Sequence, residues 1–163
     1  MTTWFVSDPG ALRAQLTTIR DIAWPWQAAA VEDLCRQMHW TLLEILDGKG
    51  AFADAGLGVP DDEVRMTFRD SRVEAVMFSV TETVRDAGPP RDHFLAAAFA
   101  GAVAEATTVF GPPTPGPVPE PLIGRWRLVE STVLIRQLKS AVTLTWASNW
   151  YQDEWDRVAE ALA

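Results

Sequence analysis

The sequence is poor in the residues that most often carry chemistry: one cysteine, two histidines, two lysines and one tyrosine in 163 residues. A lone Cys35 cannot close an internal disulfide, so oxidising export is not required for stability. Two isolated histidines, His39 and His93, form no paired motif for zinc. Basic charge is also short, with 14 Lys and Arg against 22 Asp and Glu and a net charge of −8. Binding to phosphate backbones or anionic lipid needs a basic face, so neither nucleic acid nor membrane is an expected partner. No apolar run reaches the roughly 18 residues of a membrane span. Met1 to Asp8 carry no basic stretch ahead of an apolar one, so no signal peptide is expected and the expected location is cytoplasmic. Gly48-Lys49-Gly50 followed by Gly56 lacks the spacing of a phosphate loop, and no serine sits in a glycine-flanked elbow. The expected inventory is therefore no catalytic residue, no metal ligand and no cofactor.

What the chain does have is apolar mass. Hydrophobic residues make up 48% of it, and the length suits a single domain over 1–163. Eight tryptophans are mostly core or element-end residues on this reading, with one or two available to anchor a partner. Asp8-Pro9 opens a helix to about Asp21, and Trp24-Pro25-Trp26 interrupts the helical pattern. A second helix carries Val31, Leu34, Cys35 and Met38 on one face, which makes Cys35 a small core residue. Trp40–Leu46, Val64–Arg69 and Arg72 to about Val84 read as a three-strand antiparallel meander.

A third helix starts near Asp92 and stops at Gly111, with Leu95, Phe99, Val103, Ala106 and Phe110 as its apolar stripe. It reads as a core helix, too short and too polar at its ends for a membrane. Six prolines between Pro112 and Pro121 predict an extended surface connection over 112–121. Arg125–Val129, Thr132–Leu138 and Ala141–Ala147 are expected as a second run of three strands. Arg125, Arg127, Arg136 and Lys139 would there pair with acids on neighbouring strands. Asn149 with Gln152 marks the start of a last helix, whose stripe is Tyr151, Trp155, Val158 and Leu162. Asp153, Glu154 and Asp156 suit the start of that helix dipole. Trp126, Trp146 and Trp155 are expected to be buried. The expected class is α+β: two three-strand antiparallel runs, with helices packed mainly on one face.

Charge marks one segment. Between Asp47 and Glu63, five acids (Asp47, Asp54, Asp61, Asp62 and Glu63) face Lys49 alone, giving −4, half the total. The stretch is glycine-rich, without helical or strand periodicity. It is read either as a solubilising loop or as a partner-binding surface for a basic protein.

Trp24-Pro25-Trp26, His39-Trp40 and Gly56-Leu57-Gly58 resemble the front half of an actinobacterial family of small acidic proteins of unknown function. Arg125-Trp126-Arg127, Ala141-Val142-Thr143-Leu144 and Asn149-Trp150 through Trp155-Asp156 resemble its back half. Such families often occur beside genes for secreted polymorphic toxins. The resemblance implies a non-catalytic immunity protein whose partner is a cognate toxin domain. A chaperone or adaptor for a secreted effector is the alternative, and an enzyme with a dispersed site ranks last.

Overall fold

The computed structural model describes residues 3–163; Met1 and Thr2, which open the stretch expected to lack a signal peptide, lie outside the described residues. The first helix, α1 (Pro9–Asp21), begins where Asp8 accepts a hydrogen bond from the Ala11 N–H at 3.0 Å. It buries Leu12, Leu16 and Ile19. Trp26 then takes a left-handed backbone at φ 55°, and its carbonyl accepts from the Val73 N–H. This stitches the interrupting tripeptide to the sheet. A 3-10 turn at Ala28–Ala30 leads into α2 (Val31–Met38), which ends at His39 in the left-handed region. Cys35 is buried there, and that burial, with Glu32 nearby, pushes its thiol pKa up. A protonated thiol in an apolar stripe is a packing residue.

Seven strands make one antiparallel sheet: β1 (Thr41–Leu46), β2 (Gly50–Asp54), β3 (Val64–Arg69), β4 (Arg72–Ser79), β5 (Ile123–Arg127), β6 (Ser131–Gln137) and β7 (Val142–Ser148). Their spatial order is β1-β2-β3-β4-β7-β6-β5. The first run thus has four strands, not three. The missed strand, β2, lies within the acidic stretch expected to lack strand character, and its Ala51 and Ala53 are core residues. Glycine and alanine give little hydrophobic signal, yet small residues are required there. A Cβ at Gly50 would collide with the Met66 carbonyl. The fourth strand, β4, stops at Ser79, short of Val84: the Val80 N–H still donates to the Val142 carbonyl, but the Val142 N–H turns to the Thr81 hydroxyl and the Val80 carbonyl accepts from the Ser7 N–H.

The third helix, α3 (Pro89–Phe110), starts three residues earlier than expected and runs for 22 residues. By length and composition it is apolar enough to cross a membrane, contrary to the expectation that it is too short. Here it packs on β6, β7 and α1. Its fully buried line is Leu95, Ala98, Ala102 and Ala106, while Phe99, Val103 and Phe110 are half-buried at its flanks. The alanines let the helix approach the strands closely. Trp24, Trp26 and Trp146 form one aromatic cluster with centroids 4.8 to 6.1 Å apart.

The last helix, α4 (Asn149–Leu162), lies on the opposite face of the sheet from α3. Trp126 packs towards Phe110 of α3, whereas its strand neighbours Arg125 and Arg127 reach α4. Alternation along β5 therefore puts the two helices on different sides. The fold is α+β, with three helices on one face and α4 alone on the other. The expected Asn149 cap is not formed: Ser148 is the capping position, and Asn149 instead donates to the Leu128 and Val129 carbonyls and accepts from Thr132.

Candidate functional site

The five acids named from the sequence do not form one cluster. Asp47 sits on the β1–β2 turn, while Asp54 ends β2 opposite Thr41, at the far end of the hairpin. Six residues of strand separate the two ends by roughly 20 Å. Asp54, Asp62 and Glu63 do converge, lining a cleft of about 360 Å³ with Leu43, Leu57, Val59 and Phe78. No lysine or arginine lines it among the described residues. Two of these acids also hold the loop. Asp54 accepts from the Gly56 N–H at 2.8 Å, and Asp62 from the Ser79 N–H at 2.9 Å. Asp61, exposed beside them, has φ 54°. The arrangement suits a cationic side chain entering between apolar walls, with Glu63 exposed at its mouth.

Beside this cleft lies β1, the edge of the sheet. Leu43, Ile45 and Leu46 are 52%, 44% and 40% exposed, and among the described residues no strand lies on the outer side of β1. The register shifts between Leu42 and Glu44, so a bulge turns Leu43 outward. An open edge with exposed aliphatic residues is a template for another strand. Its pattern was legible as a strand, but its edge position follows only from the whole sheet order. The other edge is different. The proline-rich segment lies along β5, where the Thr114 N–H donates to the Arg125 carbonyl and the Arg127 N–H donates to Thr114 Oγ1.

On the opposite face, α4 reverses the expected pattern. Its one buried residue is the polar Gln152, while Trp155, Val158 and Leu162 of the expected apolar stripe are exposed. Asp156 receives Arg125 in a two-pronged pair at 2.6 and 2.8 Å, and Gln152 adds a third hydrogen bond. Asp153 pairs with Arg127 at 2.7 Å and Glu154 with Arg69 at 2.9 Å. These acids therefore answer arginines of the sheet beneath them, beyond any helix-dipole role. Arg125 and Arg127 find their acids across the layers, not on neighbouring strands as expected. Arg136 donates to the Thr145 hydroxyl of the adjacent strand and not to an acid. Trp155, expected to be buried, is 55% exposed, as are Val158 and Leu162 in large part. Tyr151 is half-buried.

His39 and His93 are both exposed and far apart in the chain, at the end of α2 and the start of α3. Among the described residues, no group of three His, Cys, Asp or Glu side chains is placed to hold a metal.

The architecture defines an α+β domain with an electronegative cleft beside a sheet edge, β1, that is uncovered among the described residues. The chain belongs to the DUF6301 family of unknown function, whose model matches residues 10–148, all seven strands included. The matched span stops at Ser148, the residue before α4. No curated protein and no solved structure matches the chain.

Proposed function

We propose that this chain is a non-catalytic protein-binding domain, an immunity protein that neutralises a cognate toxin by seating a basic part of it beside β1. The observation that supports the reading is the cleft of Asp54, Asp62 and Glu63, with no cation lining it among the described residues, next to the exposed aliphatic residues of an open edge strand. Carboxylates attract and orient an arginine- or lysine-bearing surface, and the strand edge supplies main-chain hydrogen bonds.

The test is co-expression with the product of the adjacent gene. Protection from toxicity and a stoichiometric complex are expected. Reversal of Glu63 and Glu44 to lysine should slow association by about tenfold at low salt and by less at high salt. Glu63 and Glu44 are exposed, so the melting temperature should hold. Absence of both complex and protection rejects the proposal. A second reading, a chaperone or adaptor for a secreted effector, draws on the exposed Trp155, Val158 and Leu162 of α4. Capture of an unfolded segment of a neighbouring non-toxic secreted protein, lost on changing those three residues, would favour it.

A further inference from the structure

Between the proline-rich segment and α4 lies a second cleft, of about 490 Å³, floored by β5 and β6. Its floor carries Arg125 and Arg136. Cross-strand pairing sets Arg125 opposite Leu134, two residues from Arg136 on the same strand. The two guanidinium groups are therefore diagonal neighbours on one face of the sheet. Like charges so placed repel unless each is compensated. Arg125 is compensated by Asp156, although its Nε–H is buried without an acceptor.

Arg136 is not compensated in this way. It donates only to Thr145 Oγ1, at 3.0 Å, and makes no ion pair among the described residues. A guanidinium offers five N–H donors, so most of its capacity is unused. Burial disfavours its charge and pulls its pKa below the ordinary value, while Glu120 acts the other way from an exposed position on the rim. Apolar surface comes from Ile123 and Leu134 below, prolines of the connection on one side and Trp155 and Ala159 on the other, interrupted by Gln152 and Asp156 of α4. The cleft volume is that of a small-molecule site.

We infer that this cleft binds a small organic carboxylate with a flat apolar body, its carboxylate on Arg136 and its body between Trp155 and the proline-rich wall. Arg136, which makes no ion pair among the described residues, matches one monoanionic carboxylate in a two-pronged pair. A phosphate dianion fits less well, because Asp156 and Glu120 both stand at the same cleft. The site uses neither the acidic cleft nor β1, so it stands or falls apart from the proposed partner.

Phenylpropionate, with its neutral amide as control, tests this on the full chain. Titration is followed by NMR of the tryptophan indole and arginine side-chain signals, with tryptophan fluorescence alongside. The carboxylate should give saturable shifts at Trp155 and Arg136 at millimolar concentration or below, and the amide should bind at least about tenfold more weakly. Arg136→Gln should lose about tenfold or more in affinity, and Arg136→Lys should retain part of it. Equal binding of acid and amide overturns the proposal without any variant. So does wild-type affinity in a folded Arg136→Gln protein, or the absence of saturable shifts up to about 10 mM.

Discussion

Trp146 and Trp155 lie nine residues apart and obey opposite physics. Trp146 is buried within the cluster of Trp24 and Trp26, whereas Trp155 flanks the cleft beside α4 and is 55% exposed. Replacement of Trp146 by alanine should cost about 3–5 kcal/mol, because a cavity opens under the sheet–helix layer. Replacement of Trp155 should cost less than about 1 kcal/mol, since its ring is already largely in water. Denaturant unfolding of both variants measures this, and a large loss at Trp155 would contradict that exposure. Sequence pattern marks both as apolar positions of a periodic element, and periodicity alone cannot say which stripe faces the core. The acid positions on α4 carried the missing clue: Asp153 and Asp156 are spaced to meet Arg127 and Arg125, two residues apart on β5.

At the scale of elements, α1 and β3 were legible because their polar and apolar residues recur with the right period, and β4 because its run is apolar on both faces, as a central strand requires. Asp8-Pro9 marks the first helix start, and Val64, Met66 and Phe68 mark one buried face. The hidden elements are those built from small residues or held by charge. The core strand β2 has alanines where a sequence reader expects valines, and α4 is docked through ion pairs and not through grease alone. Of the candidate site, only the acids were visible, because charge shows in sequence while convergence does not. Asp54 and Asp62 reach one cleft although eight residues apart, and Asp47 is carried away by the hairpin.

The docking of α4 also makes a pH prediction. Hydrogen bonds from Arg125, and to a lesser extent Gln152, hold the Asp156 carboxyl below its ordinary range against the opposing effect of burial. Arg69 lowers Glu154 in the same sense. A folded-state pKa below the unfolded one gives stability that is present above the unfolded value, about 4, and is lost as pH falls through the folded value. The Asp156→Asn variant should therefore melt below wild type at neutral pH, and the gap should close below about pH 4. Melting curves across that range decide it. A gap unchanged at low pH would mean that the ion pair contributes nothing.

For the whole molecule, the net charge of −8 favours separation of copies, and the open edge at β1 is where two copies would pair if they associate. Replacing Ile45 with lysine should reduce self-association at high protein concentration and leave the melting temperature nearly unchanged, as light scattering and thermal unfolding will show. An increase in self-association on that change would place the sticky surface elsewhere. The two ends of the sheet give this a further consequence. Strand addition can propagate into a fibril only if every unit offers two free edges, and here the proline-rich segment lies along one of them through Thr114. In the language of polymer chemistry, the domain as described by residues 3–163 is a monofunctional monomer: copies joined edge to edge through β1 would end as a closed pair and not as a growing chain.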